Sequence, residues 1–294
     1  CGLTGLYRFL YKYFRKKKKF LFFTVFLLPT VMFWGSGVLK EGIILTGMGL
    51  LLWSFDKVIN KSLNWKNIVI LIFSFILVRY TKFYVALALL PLMLALLWVK
   101  YCNYKKIFLK FITTTILFIF SAYIFNCFMP GMDIFAELAR KQRDFIGLAN
   151  SVNSGSLINV TTLKPNLWSL ITNSPQALYN VLFRPWFFES SSLLMLAASL
   201  ENLLFILFTV IAIIFFKKPD KKQTALVCFS FIFVLEIYIL AGLTTPVVGA
   251  FVRYKLPALP FLFTMLLAIT DLDKLYFKIK RFIKFKFIDK LFIE

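Results

Sequence analysis

With no histidine among its 294 residues and only 13 Asp and Glu, this chain must do any chemistry with carboxylates, Lys, Arg, Tyr or backbone groups. The absence of imidazole excludes a Ser-His-Asp triad and a His-liganded metal centre. Glu41, preceded by Lys40 and by the run "LPTVMFWGSGVL", puts a charged pair directly behind an apolar run. Other charges stand in similar settings: Arg79 and Lys82 in "LVRYTKFYVALALLP", Arg184 and Glu189 in "LFRPWFFESSS", and Arg253 with Lys255 in "GAFVRYKLPALP". Each arginine is next to a proline or an aromatic residue, within or beside an apolar run. A guanidinium at bilayer depth is costly unless it faces a cavity or an anion, and its planar fork matches phosphate oxygens two at a time. Together these residues read as a phosphate-binding set. Taken singly, each arginine also reads as an interfacial side chain snorkelling toward headgroups. Two carboxylates fall inside apolar runs, Glu201 in "LAASLENLLFIL" and Glu236 in "FVLEIYIL", and intramembrane carboxylates are functional candidates by default. Glu201, with Asn202, follows Glu189 on a helix and could reach toward the same cavity, whereas Glu236 reads as a structural hydrogen-bonding group.

These residues need a scaffold, and composition names it. The chain is 60% hydrophobic and 16% charged, where a soluble domain carries about a quarter charged residues. It is expected to be an all-α, polytopic transmembrane bundle. At about 20 residues per crossing, eight spans fit, at 20–38, 42–55, 68–82, 84–99, 107–129, 193–216, 224–243 and 254–270. The formal charge of +22 comes mainly from Lys and Arg in short segments between these runs. That is a topological signal and no indication of nucleic acid as a partner. Placing the lysine-rich segments 8–19, 56–67, 100–106, 217–223 and 271–294 in the cytoplasm leaves 39–41, 79–83, 130–192 and 244–253 outside, with both chain ends cytoplasmic. The expectation is one membrane domain over 1–294, with membrane lipids as partners and no repeat to set an oligomeric state.

Two segments outside the spans carry patterns of their own. Residues 130–192 form an outer loop of short amphipathic helices, with Ile134, Leu138 and Phe145 on one apolar face, acting as a lid or as a connector. Residues 271–294 alternate Phe, Leu and Ile with Lys, as in a basic amphipathic helix lying on anionic lipid. The four cysteines show no metal-ligand spacing and read as small apolar residues. The first residues, "CGLTGLYRFLYKYFRKKKK", read as the tail of something already under way, so an N-terminally truncated fragment is expected. At the opening stretch, "GSG" permits a sharp turn that sets Glu41 near the start of a returning helix. There it suits the positive dipole end, and a capped hairpin stands beside a catalytic carboxylate as a reading.

Three stretches also carry a resemblance. "LPTVMFWGSGVLKEG", with the pattern P-x-x-x-F-W-x-S-G-x-x-K-E, "FRPWFFESSS" followed by "SLEN", and "GAFVRYKLPALPFL", with R-Y-x-x-P-x-x-P, are found between about residues 24 and 262. They resemble bacterial polytopic membrane proteins of surface-polysaccharide biosynthesis, which look like the GT-C class of glycosyltransferases. The resemblance implies a hexosyltransferase-type enzyme of the bacterial inner membrane. Its site would face away from the cytoplasm and use a lipid-linked sugar donor such as an undecaprenyl-phosphate sugar. In that class an acidic residue of the first outer loop serves as base or metal contact; here that loop would precede Cys1. Glu41 is then the alternative base, with Lys40, Arg79, Lys82, Arg184, Glu189, Glu201 and Arg253 binding substrate. The resemblance allows a divalent metal as cofactor but supplies no metal ligand in this chain. Competing readings are an O-antigen or exopolysaccharide polymerase or ligase, a transporter or flippase, and a non-catalytic scaffold.

Overall fold

The computed structural model describes all residues except 38, 61–63, 129–132, 191 and 283–294, and the side chains of 122, 125–127, 279, 281 and 282. Among the described residues there are fourteen α-helices and no strand. They are α1 (Gly2–Tyr11), α2 (Lys18–Phe26), α3 (Pro29–Ser36), α4 (Lys40–Asn60), α5 (Trp65–Thr81), α6 (Phe83–Tyr101) and α7 (Ile107–Phe128). The chain continues through α8 (Ile134–Ser151), α9 (Leu167–Phe183), α10 (Leu193–Ile214), α11 (Lys221–Thr244), α12 (Val248–Tyr254), α13 (Leu259–Ile269) and α14 (Leu272–Phe282).

Among the described residues, α4, α6, α10 and α11 are each long and apolar enough to cross a membrane. Two bent pairs raise that number to six if each pair is one span: the segment 15–26 with α3, bent by 55°, and α12 with residues 256–269, bent by 42°. Each of the eight apolar runs picked out in the sequence contains helix among its described residues. The count of eight is not reached because α5 has 17 residues and the apolar part of α7 that is described runs only over 107–121. Proline explains the breaks. Pro29 sits in the first turn of α3, where its missing N–H costs nothing and its ring fixes the start of a new helix. Pro257 and Pro260 do the same after α12.

The core is built around α11, whose Phe229 and Phe233 meet Phe261 of α13 at 5.7 and 5.1 Å between ring centroids. Outward-facing Phe73, Ile116, Phe120, Leu203, Leu207 and Ile213 remain exposed. A soluble surface would not tolerate so many exposed apolar side chains, whereas a bilayer does. At two crossings the backbones nearly touch. A Cβ on Gly49 would stand 1.9 Å from the Gly2 carbonyl oxygen, and one on Gly242 would stand 2.4 Å from that of Ala177. Only glycine permits α1 to press on α4, and α9 on α11, at this distance. The first residues therefore form a packed helix with Leu6, Phe9 and Leu10 buried.

Charged segments sort to the two ends of the bundle as the lysine pattern predicts. At one end Lys12 pairs with Asp56, Lys100 donates to the Ile59 carbonyl at 2.5 Å, and Gln223 donates to that of Tyr13 at 2.9 Å. Lys17 closes the last turn of α13 by donating to the carbonyls of Leu267 and Thr270, both at 2.7 Å. At the other end Ile158 donates to the Pro246 carbonyl at 2.9 Å and Val248 to that of Ser156 at 3.0 Å, tying the 130–192 loop to the approach to α12. The candidate tail is described only to α14; its remainder, 283–294, lies outside the described residues.

Candidate functional site

Glu41 lies in the first turn of α4, buried to 1% exposure, at the end of the bundle opposite the lysine-rich segments. The start of α4 places it there, and a carboxylate suits the unpaired N–H groups of a first turn. Its Oε1 accepts from Arg253 Nε at 2.6 Å and stands 3.4 Å from Lys82 Nζ. Its Oε2 has no hydrogen-bond partner among the described residues. Lys82 occupies the turn between α5 and α6, which delivers it to the same point, and its ammonium also rests 5.0 Å from the centre of the Tyr254 ring. Burial pulls the Lys82 pKa below the ordinary lysine value, with the Arg253 charge adding to that and Glu41 opposing it.

These three residues line a cavity of about 460 Å³ together with Lys40, Tyr84, Tyr254 and residues of α8. Arg253 engages Glu41 through Nε alone, so its two terminal nitrogens make no hydrogen bond among the described residues; its side chain is 40% exposed. The guanidinium carbon lies 5.7 Å from the centre of the Trp34 ring, which holds the fork in place. Lys141 and Phe145 of α8 close one side, with the Phe145 ring edge-on to Tyr254 at 6.0 Å.

The helix α8 is pinned. Gln142 is buried and donates to the carbonyls of Leu243 at 2.9 Å and Thr161 at 3.1 Å, while accepting from the Leu163 N–H at 2.8 Å. Asp133 caps its start, accepting from the N–H groups of Phe135 and Ala136 at 2.9 and 3.1 Å. Gln142 was missed in the sequence, although it falls one turn after Leu138 on the apolar face. A polar residue at a core position was the signal.

The remaining sequence candidates lie elsewhere. Arg79 is exposed and beside its neighbour Tyr80, at 5.7 Å from the ring centre, as a snorkelling side chain would be. Arg184 stands 3.6 Å from Glu189, whose Oε2 accepts from the Trp186 N–H at 3.0 Å, so this pair shapes its own turn. Glu201 is buried and its Oε2 accepts from the Thr30 N–H at 2.9 Å. It satisfies the start of α3 at the bend and does not line the Glu41 cavity.

A second buried polar group backs the first. Lys255, fully enclosed, donates to Asn202 Oδ1 at 2.7 Å, and Asn202 donates to the Pro185 carbonyl at 3.2 Å. The tripeptide Arg253-Tyr254-Lys255 thus faces two ways, its arginine to Glu41 and its lysine to Asn202. Among the described residues no group of three or more Cys, Asp and Glu side chains converges as a metal-ligand set. The Glu41 cavity offers one carboxylate, already held by two cations, and that donor set does not suit a divalent metal.

The arrangement can hold an anion at Arg253, Lys82, Lys40 and Lys141 beside a carboxylate oxygen with no donor of its own. Compared with protein-family models, curated proteins and solved structures, the chain matches none. Fold and site together define an all-helical protein with membrane-length helices and a charged cavity at one end of the bundle.

Proposed function

We propose that this chain is a membrane glycosyltransferase that moves a sugar from a polyprenyl-phosphate-linked donor to a surface glycan or lipid acceptor. The reaction takes place at the outer face of the bacterial cytoplasmic membrane, with the eight apolar helical segments crossing or entering the bilayer and both chain ends in the cytoplasm. The observation that carries this reading is the Glu41–Arg253–Lys82 cluster in a cavity walled by α8.

Each residue has a role in that chemistry. The donor phosphate sits on the free fork of Arg253 and on Lys82, with Lys40 and Lys141 at the rim. An acceptor hydroxyl oxygen attacks the anomeric carbon; the bond from that carbon to the phosphate oxygen breaks, and its electron pair leaves with the phosphate. Cations preorganised around that oxygen stabilise the departing charge. The hydroxyl proton passes to Glu41. Phosphate arriving on Arg253 and Lys82 competes with Glu41 for them and frees the carboxylate for this step.

The test is transfer of labelled sugar from a polyprenyl-phosphate-linked donor by the full-length protein in proteoliposomes. Arg253→Lys keeps the charge and loses the planar two-point grip. It should slow transfer by about a hundredfold, the equivalent of about 2–3 kcal/mol in the transition state, with little change in melting temperature. Unchanged transfer in Arg253→Lys would remove phosphate from this site. A second reading, a carrier for a lipid-linked substrate, draws on the two bent helix pairs, because broken helices line carrier pathways. A fluorescent lipid-linked substrate that changes leaflet without bond cleavage would favour that reading.

A further inference from the structure

At the opposite end of the bundle, two cavities adjoin. One, of about 520 Å³, is lined by residues 12–20, by Lys217 and Lys218, and by parts of α11, α13 and α14; eight of its side chains are Lys or Arg and two are Asp. The other, of about 580 Å³, is a groove between α2, α10, α13 and α14 lined almost wholly by apolar residues, among them Phe23, Leu27, Leu207 and Phe263. Lys19, Phe20 and Leu272 line both, so the basic recess opens directly into the apolar groove. The groove faces outward, with Phe23, Leu204 and Leu207 each more than 40% exposed.

Part of the positive charge in the recess is already used. Lys12 pairs with Asp56, Lys17 with two backbone carbonyls, and Lys217 stands 3.9 Å from Asp271. Arg15, Lys16, Lys18 and Lys218 have no ion pair among the described residues. A recess with surplus positive charge that leads into an apolar trough matches a molecule with an anionic head and a hydrocarbon tail. A soluble anion would leave the trough uncovered, and a zwitterionic lipid would bring a second positive charge into a recess already rich in them.

We infer that this end of the bundle holds an anionic phospholipid, its headgroup phosphate among Arg15, Lys16, Lys18 and Lys218 and one acyl chain along Phe23, Leu207 and Phe263. The site is separate from the Glu41 cavity and does not rest on the transferase reading. Bound there, the lipid joins α2 to α10 and α14, three helices that otherwise leave a gap between them.

Native mass spectrometry of the full chain released from detergent tests this, with phosphatidylglycerol and phosphatidylcholine of the same chains titrated separately. Phosphatidylglycerol should bind at least about tenfold more tightly, and the triple variant Lys16→Gln, Lys18→Gln, Lys218→Gln should abolish that preference while leaving phosphatidylcholine unchanged. Leu207→Trp, at a half-exposed position that can change without burying anything new, should fill the groove and weaken phosphatidylglycerol several-fold at an unaltered melting temperature. Equal binding of the two lipids would overturn the proposal, as would Leu207→Trp leaving phosphatidylglycerol affinity intact. Displacement of the lipid by millimolar inorganic phosphate would reduce the site to a free-phosphate recess. A dimer that loses its contact in Leu207→Trp and retains no lipid would give the groove to a second copy of the chain.

Discussion

Glu41 shows how little a single residue can be assigned without its neighbours. Enclosed with Lys82, it is one half of a buried charge pair, and removing one partner of such a pair commonly costs about 3–5 kcal/mol because the other charge is stranded. Glu41→Gln should therefore lower the melting temperature of the purified protein, and Lys82→Met on top of it should restore most of the loss. Arg253 is less affected, because its 40% exposed side chain can be solvated. Transfer activity should not return with stability in the double variant. Recovery of both would make Glu41 a structural counter-ion only. A pH test follows from Lys82, whose pKa is lowered chiefly by burial. A lysine whose native pKa lies below its unfolded value binds fewer protons folded than unfolded across that window, so stability rises with pH there. Without Glu41 the lowering grows, and the deficit of Glu41→Gln relative to the parent should shrink as pH rises toward about 10. A deficit that stays constant over that range would show that Lys82 is not the stranded charge.

At the scale of helices, two features decide where the candidate site sits: proline breaks and glycine crossings. Pro29 ends the α2 direction and starts α3, and Glu201 then satisfies the newly exposed Thr30 N–H from a helix 171 positions away in sequence. The crossing of α9 on α11 fixes the outer loop against the bundle, and α8 with it through Gln142. Gly242→Val would drive a Cβ into the Ala177 backbone, which cannot move aside as a side chain can. It should cost at least about 2 kcal/mol, read as a lower melting temperature in detergent. Gln142→Leu keeps the volume and loses three hydrogen bonds; it should free α8 and speed hydrogen exchange over 134–151 while leaving the core helices protected. Unchanged exchange would mean that packing alone holds the wall of the cavity.

At the scale of the whole molecule, the segments that share lysine enrichment meet at one end and the Glu41 cavity stands at the other. Sidedness can be read directly by labelling in a cysteine-free background. A cysteine at Gly155, where an added Cβ meets nothing within 4 Å, or at exposed Thr172 should react with an impermeant reagent added to intact cells. One at Lys105 or Lys221 should react only after the membrane is opened. The reverse pattern would turn the proposed topology over and place the cavity in the cytoplasm.

The sequence by itself determined the all-helical membrane character, because apolar runs of about 20 residues leave the backbone few other ways to satisfy itself. Its lysine clusters also pointed to the segments that share an end of the bundle, since a run of neighbouring lysines cannot be paired and buried together as the single Lys82 and Lys255 are. Arg253, Glu41 and Lys82 were legible as candidates because each is a charge within or beside an apolar run. What it could not determine was which charges meet. Arg79 and Lys82 are three residues apart, yet the turn after α5 sends Lys82 inward to Glu41 and leaves Arg79 outside beside Tyr80. Arg253 and Lys255 are two apart and face opposite clusters. The partners lie 212 and 53 positions away, and only the packing of α4, α10 and α12 brings them within hydrogen-bond reach. Pairing between charges depends on separations of a few ångströms, and those are set by tertiary packing because hydrogen bonds and ion pairs fall off steeply with distance.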